Sequence, residues 1–153
     1  MLLNLTLNGK KVSAEIAEDM VLLDFVRSQG CYSVKRGCET SNCGLCTVWL
    51  DGKPVLSCNV PAARAAGRSV TTLEGVRKEA EEFGGYLADE GGEQCGFCSP
   101  GFIMNVLALE RELGENPTDE EILHFLSGNL CRCTGYVSQL RAIRRWMGRG
   151  VKE

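Results

Sequence analysis

Cysteines are the residues of this chain that could do chemistry, and their spacing is selective. Cys38, Cys43 and Cys46 stand in one short C-x4-C-x2-C loop, and Cys58 follows after eleven intervening residues. That order is the ligand spacing of a plant-type 2Fe-2S cluster: three thiolates from one tight loop, with the fourth expected from a neighbouring strand. A second set lies far downstream, with Cys95 and Cys98 as one close pair and, thirty-two intervening residues later, Cys131 and Cys133 as another. The two sets use eight of the nine cysteines and leave only Cys31. Structural zinc is the alternative for either set. It suits two separated close pairs better than a C-x4-C-x2-C loop, so it weighs more on the second set than on the first.

A 2Fe-2S cluster on four thiolates is anionic, and each added electron makes it more so. The protein must therefore aim compensating dipoles and charges at it. In the first loop Gly37 and Gly44 can adopt open or left-handed conformations that turn backbone N–H groups toward sulfur. Lys35 and Arg36 add positive charge just upstream. In the second set Cys98 precedes a helix expected from Pro100 and Cys133 one expected from Val137, so two positive helix ends could favour the reduced state. Cys31 reads as a small buried hydrophobe rather than a redox thiol. His124, the single histidine, has no acid or metal partner nearby in sequence, so no catalytic dyad is expected.

The elements that must position these thiols are legible in the periodicity. Leu3, Leu5 and Leu7 alternate with polar residues, as do Val12, Ala14 and Ile16, and Asn8-Gly9 between them predicts a tight hairpin. Leu22, Leu23, Phe25 and Val26, after Asp19 and before Gly30, predict a short helix across that hairpin. Thr47–Leu50, an Asp51-Gly52 turn and Pro54–Cys58 predict a second hairpin carrying the fourth thiol, and a last strand is expected around Ser69–Leu73. Together these give a β-grasp-like unit over residues 1–75. Residues from about 60 to 82 read as a connector.

Beyond it the pattern is helical. Pro100 before Phe102, Ile103, Val106, Leu107 and Leu109 predicts a helix over about 100–112. Thr118 and Glu121 make a capping-box signature for a helix that Gly128 would close, and Val137, Leu140, Ile143 and Trp146 or Met147 predict a terminal helix. With a helix near 76–90 this makes a four-helix unit over residues 76–153. The fold class is α+β.

Composition narrows the function classes. In 153 residues the net charge is only −3, and the Arg141, Arg144, Arg145, Arg149 cluster reads as a solvated helix face, with a docking face for a nucleotide or acidic partner as the alternative. A nucleic-acid partner is not expected. The start Met1–Asn8 has no basic leader, and no segment approaches the roughly 18 apolar residues of a membrane helix. A cytoplasmic protein is expected, where paired cysteines are more often metal ligands than crosslinks. No P-loop or dinucleotide-binding glycine signature is present, so no nucleotide site is expected on this chain.

Three stretches, Val34-Lys35-Arg36-Gly37-Cys38 through Cys58, the QCGFCSPG run from Gln94, and the SGNLCRCTGY run from Ser127, together resemble the molybdenum hydroxylase family. Specifically, they resemble the small iron-sulfur subunit of bacterial xanthine dehydrogenase-like enzymes. The resemblance covers nearly the whole chain, with three motifs in the family's order. It implies an N-terminal plant-ferredoxin-like domain, a C-terminal helical domain with a second cluster, and an electron relay between partner subunits. A large subunit would hold a molybdenum-pterin cofactor where water hydroxylates substrate, with purines such as xanthine or hypoxanthine as the best single guess. A third subunit would hold FAD, and the assembly would be a dimer of heterotrimers.

By the same resemblance Cys95, Cys98, Cys131 and Cys133 ligate the cluster nearer molybdenum, and Cys38, Cys43, Cys46 and Cys58 the one nearer flavin. Gln94 matches the glutamine whose amide contacts the pterin, and Cys133 lies at the same edge. Glu39 and Ser41 stand where the family commonly has Gly, Leu45 where it has Ala, and Ser99 where Thr is more usual. Glu39 should lower the potential of a nearby cluster. A freestanding two-cluster carrier is the alternative, from which Gln94 in its setting separates this reading. A zinc-stapled interaction module is a third, and it predicts colourless protein.

Overall fold

A computed structural model describes residues 1–148. Strands β1 (Leu2–Leu7) and β2 (Lys10–Glu15) form the first hairpin, with Asn8 and Gly9 at φ 50° and 79° in the turn. Both values are left-handed, as a two-residue turn matching the strand twist requires. Strands β3 (Thr47–Leu50) and β4 (Lys53–Leu56) repeat the device at Asp51-Gly52. Strand β5 (Ser69–Thr71) joins them in a five-stranded mixed sheet of order β2-β1-β5-β3-β4, with β1 and β5 parallel and the other neighbours antiparallel.

Helix α1 (Leu22–Ser28) buries Leu22, Leu23, Phe25 and Val26 against Leu3, Leu5, Leu7, Val48 and Val70 of the sheet. Its start is held by main chain, Leu22 N–H donating to Val60 O at 2.7 Å, which ties the helix to the segment just after Cys58.

Helices α2 (Arg77–Asp89), α3 (Ser99–Leu113), α4 (Asp119–Phe125) and α5 (Val137–Met147) build a second core around Phe83, Leu87, Val106, Leu109, Ile122 and Ile143. Phe83 meets Trp146 edge-on, with ring centres 5.5 Å apart. The Thr118/Glu121 capping box is formed. Trp49 of β3 joins the two cores, packing with Met104 and Ala108 of α3 and donating its indole N–H to Met104 O at 2.8 Å. No helix among the described residues is long and apolar enough to cross a membrane.

Three local expectations are corrected. Cys58 sits not on a strand but on a 3-10 turn, Ser57–Asn59, after β4 has ended at Leu56. Gly128 does not close α4 in a left-handed cap: the helix ends at Phe125, Leu126 caps it at φ −91°, and Gly128 is not among the residues with positive φ. The buried face of α5 is Ser138, Gln139, Ala142, Ile143 and Trp146, while Val137 is 64% exposed. The expected Leu140, Ile143, Trp146 and Met147 do face the second core, so Val137 alone departs from the expected stripe.

Candidate iron-sulfur sites

The first thiol loop lies between α1 and β3. Cys43 and Cys46 are buried, and Cys38 and Cys58 half-buried. Ser41 and Gly44 take φ of 56° and 74°, the turns that coil the loop. Asn42 N–H reaches Cys38 Sγ at 3.4 Å, and the Cys38 thiol is drawn down to about 6 by N–H groups of Asn42, Thr40 and Cys43. Burial pushes Cys43 up, and Cys46 up to about 11. Ser41 Oγ lies 3.6 Å from Cys58 Sγ, and Ser57 Oγ donates to Cys46 O at 2.7 Å, tying the distant fourth cysteine to the loop. N–H groups already aimed at a sulfur stabilise a thiolate and its metal complex alike.

Gly37 is needed for space, not for its φ: a side chain there would run into Leu45 Cδ2 at 2.7 Å and Cys43 Sγ at 3.1 Å. Arg36 pairs with Asp24 at 2.7 Å and lies 3.9 Å from Glu39, whose side chain is 82% exposed. Lys35 departs from expectation, because its ammonium turns away from this loop to Phe97 O, 3.2 Å away in the second set.

In the second set the C-x2-C pair leads into α3, with Cys98 as its N-cap residue. Cys131 and Cys133 stand on the loop between α4 and α5, whose N-cap Tyr136 has φ 70°. The Tyr136 hydroxyl accepts from Cys131 N–H at 2.9 Å, and Thr134 Oγ1 donates to Cys131 Sγ at 3.2 Å. Burial pushes Cys98 up to about 12, reinforced by its neighbours Cys131 and Cys95. Burial also acts to raise Cys131, but hydrogen bonds from Thr134 and from the Cys133 main chain outweigh it and hold the thiol low. Cys95 and Cys133 are exposed, and Gln94 is exposed beside them.

Within each set the thiols bear on one another's ionisation: Cys38 on Cys43 and Cys58 on Cys46 in the first, Cys131 and Cys95 on Cys98, and Cys95 and Cys131 on Cys133, in the second. Among the described residues no three cysteine, histidine or carboxylate side chains converge as a site for one ion. Tetrahedral zinc needs four sulfurs around one centre. Four thiols spread over a wider site would suit a 2Fe-2S cluster, whose two irons would share them.

The sets are joined directly. Leu130 N–H donates to Cys43 O at 2.9 Å, and Asn129 Nδ2 to Gly44 O at 3.4 Å. Gly101 packs against the Gly44–Leu45 backbone, where a side chain would meet Leu45 Cα at 3.0 Å. A cavity of about 450 Å³ has Cys43 and Leu45 on one wall and Cys95, Cys98, Cys131 and Cys133 on the other. Sequence reasoning missed Leu130, Asn129 and Gly101. Only Gly101 left a signal, a glycine without a turn to make in the first turn of a helix.

The remaining candidates resolve as structure. Cys31 is buried in the first core, 3.6 Å from Asn8 Nδ2, with burial raising its thiol. His124 is exposed on α4. Arg141 and Arg145 pair with Glu90 at 3.0 and 2.9 Å, and Arg144 pairs with Asp119, so three of the four clustered arginines hold neighbouring elements. Arg149 lies outside the described residues.

Residues 5–70 match the 2Fe-2S iron-sulfur cluster binding domain and residues 72–144 the 2Fe-2S binding domain. The nicotinate dehydrogenase small FeS subunit of Eubacterium barkeri is 41% identical over 145 residues, which is 93% of this chain and 92% of the relative. The xanthine dehydrogenase iron-sulfur-binding subunit of Escherichia coli O157:H7 is 43% identical over 139 residues, 86% of this chain and 84% of the relative. The structure of quinoline 2-oxidoreductase from Pseudomonas putida 86 superposes with a TM-score of 0.88 at 33% identity, covering 98% of this chain and 94% of the matched one. On this similarity along almost its full length, the chain belongs to the small iron-sulfur subunits, the electron-transfer subunits of molybdenum hydroxylases of the nicotinate and xanthine dehydrogenase type.

Proposed function

We propose that Cys38, Cys43, Cys46 and Cys58 hold one 2Fe-2S cluster and Cys95, Cys98, Cys131 and Cys133 a second, in two domains dividing near residue 75. The second would face a large molybdenum subunit, and the first an FAD-binding subunit. Two such clusters supply one-electron carriers, which a two-electron hydroxylation needs if its electrons are to leave singly. The chain's own residues do the rest. Exposed Cys133 and Gln94 form the edge open to a pterin cofactor, with the Gln94 amide free to hydrogen-bond it. Asn42 N–H at Cys38 and Thr134 Oγ1 at Cys131 offset negative charge at the two sulfurs.

The observation that carries this reading is the hydrogen bond from Leu130 N–H to Cys43 O at 2.9 Å. It links the residue before Cys131 to a thiol residue of the other set, a short covalent and hydrogen-bonded route between the two sites. The substrate, oxidised on the large subunit, is proposed to be a nitrogen heteroaromatic, with a purine the first to test, since relatives are named for xanthine and for nicotinate. A cytoplasmic dimer of heterotrimers is the proposed assembly.

Metal and flavin content per copy of the chain, in complex isolated anaerobically, tests this. About four irons with molybdenum and FAD are expected. Four irons with neither would leave a freestanding carrier, and zinc in place of iron would overturn both.

A further inference from the structure

We propose that Lys35, carried by the first thiol loop, raises the reduction potential of the cluster held by the second set. The inference rests on the reading that Cys95, Cys98, Cys131 and Cys133 hold a 2Fe-2S cluster, and it names a charge that tunes it. Lys35 stands three residues before Cys38, yet its side chain leaves the first site altogether. Nζ donates to Phe97 O at 3.2 Å and lies 4.7 Å from the centre of the Phe97 ring. Phe97 is set between Cys95 and Cys98. A carbonyl oxygen and a ring face thus hold the ammonium of Lys35 at an exposed contact with the loop that bears two of the four thiols.

Its neighbour does the opposite. Arg36 remains on the side of the first set, where Asp24 accepts from it at 2.7 and 2.8 Å and Glu39 lies 3.9 Å away, so carboxylates offset its charge. The second set's own segments bring Arg132, between Cys131 and Cys133, and Glu93, whose carboxylate lies 3.3 Å from where a Gly96 side chain would begin. Those two charges oppose each other in sign. Lys35 is a cation brought to the second site from the other half of the molecule. Reduction adds one negative charge to a cluster, so a fixed nearby cation stabilises the reduced form more than the oxidised form. Docking of the two halves thereby sets the potential of the second site.

The test is an EPR-monitored redox titration of Lys35→Met and Lys35→Arg in the intact complex, at low and high ionic strength, beside thermal melting. The signal that survives Cys43→Ser identifies the second cluster. Lys35→Met is expected to move that midpoint to more negative potential and leave the other in place. Lys35→Arg should restore it, and the shift should shrink as salt screens the charge. Midpoints that stay fixed, move together, or move only at the first cluster would overturn the proposal. A lowered melting temperature with unmoved midpoints would also overturn it, leaving Lys35 a structural fastener. A wild-type complex without two cluster signals would instead overturn the iron-sulfur reading beneath it.

Discussion

The two thiol sets solve one problem in contrasting ways. The first is a single coiled loop with two of its cysteines buried, its fourth thiol brought back by a short hairpin and turn. The second is assembled from two segments far apart in sequence, and two of its cysteines are exposed. A loop site is closed by local geometry and can be sheltered. A site assembled from the ends of helices has an open edge, which suits contact with a partner. In the proposed relay that difference orders the sites, the sheltered set passing electrons on and the open set receiving them.

The most severe way to separate the sets is to remove one thiol. Cys43→Ser should abolish one reduced-state EPR signal, keep the other, and lower iron content from about four to about two per chain. Two unchanged signals would reject the assignment of Cys43. Next in size is Gly44→Ala, at the junction. Gly44 has φ 74°, and a side chain there would be driven into the Gly128 carbonyl oxygen and come within 2.6 Å of Asn129 Nδ2. Left-handed strain and this clash together should cost about 3 kcal/mol, read as a lower urea midpoint. Both EPR signals should persist while electron exchange between them slows. Full retention of stability would mean that the halves touch less closely than the Leu130–Cys43 hydrogen bond implies.

Local features of the chain are legible in its sequence, and long-range ones are not. The first set was legible because its spacing is local, as were both hairpins, whose Asn-Gly and Asp-Gly turns need left-handed φ. The capping box at Thr118 was equally local. What escaped was long-range. Nothing in Val34-Lys35-Arg36 tells that Lys35 crosses to Phe97 while Arg36 stays with Asp24. The exposure of Cys95 and Cys133 depends on which helices flank them, not on their spacing. In α5 the apolar periodicity found Leu140, Ile143, Trp146 and Met147 on the core, but it could not tell that Ser138 and Gln139 share the buried face while Val137 lies outside it.

A milder probe is acid. Glu74 fastens Ser33, on the approach to the first loop, to Thr72, with its oxygens 2.9 Å from Ser33 N, 2.6 Å from Ser33 Oγ and 2.6 Å from Thr72 Oγ1. Burial acts to raise this carboxyl, but the hydrogen bonds from Ser33 and Thr72 outweigh it and hold it below the usual carboxylate range. A carboxylate depressed in the folded state contributes stability that is complete above its unfolded value. That contribution is lost as pH falls through the folded one. Glu74→Gln should therefore cost about 1–2 kcal/mol at pH 7, and its deficit against wild type should shrink only below about pH 4.5. A deficit independent of pH would show that Glu74 acts by shape and not by charge.

The smallest effect is expected in the helical half and has the opposite sign. Gln139 is 3% exposed, and its Oε1 finds no hydrogen-bond partner among the described residues. It lies at an apolar groove between α4 and α5 with Ile122, Leu126, Leu140 and Ile143. A buried acceptor without a donor costs more than an apolar group of similar size at the same place. Gln139→Leu should thus stabilise the isolated chain by about 1 kcal/mol, seen as a rise of several degrees in melting temperature. The sheet half offers no comparable gain, since the buried Thr47 and Ser57 hydroxyls donate to Gly44 O and Cys46 O, both at 2.7 Å. If Thr47→Val stabilises the chain as much as Gln139→Leu does, the contrast between a fully satisfied sheet half and an incompletely satisfied helical half fails.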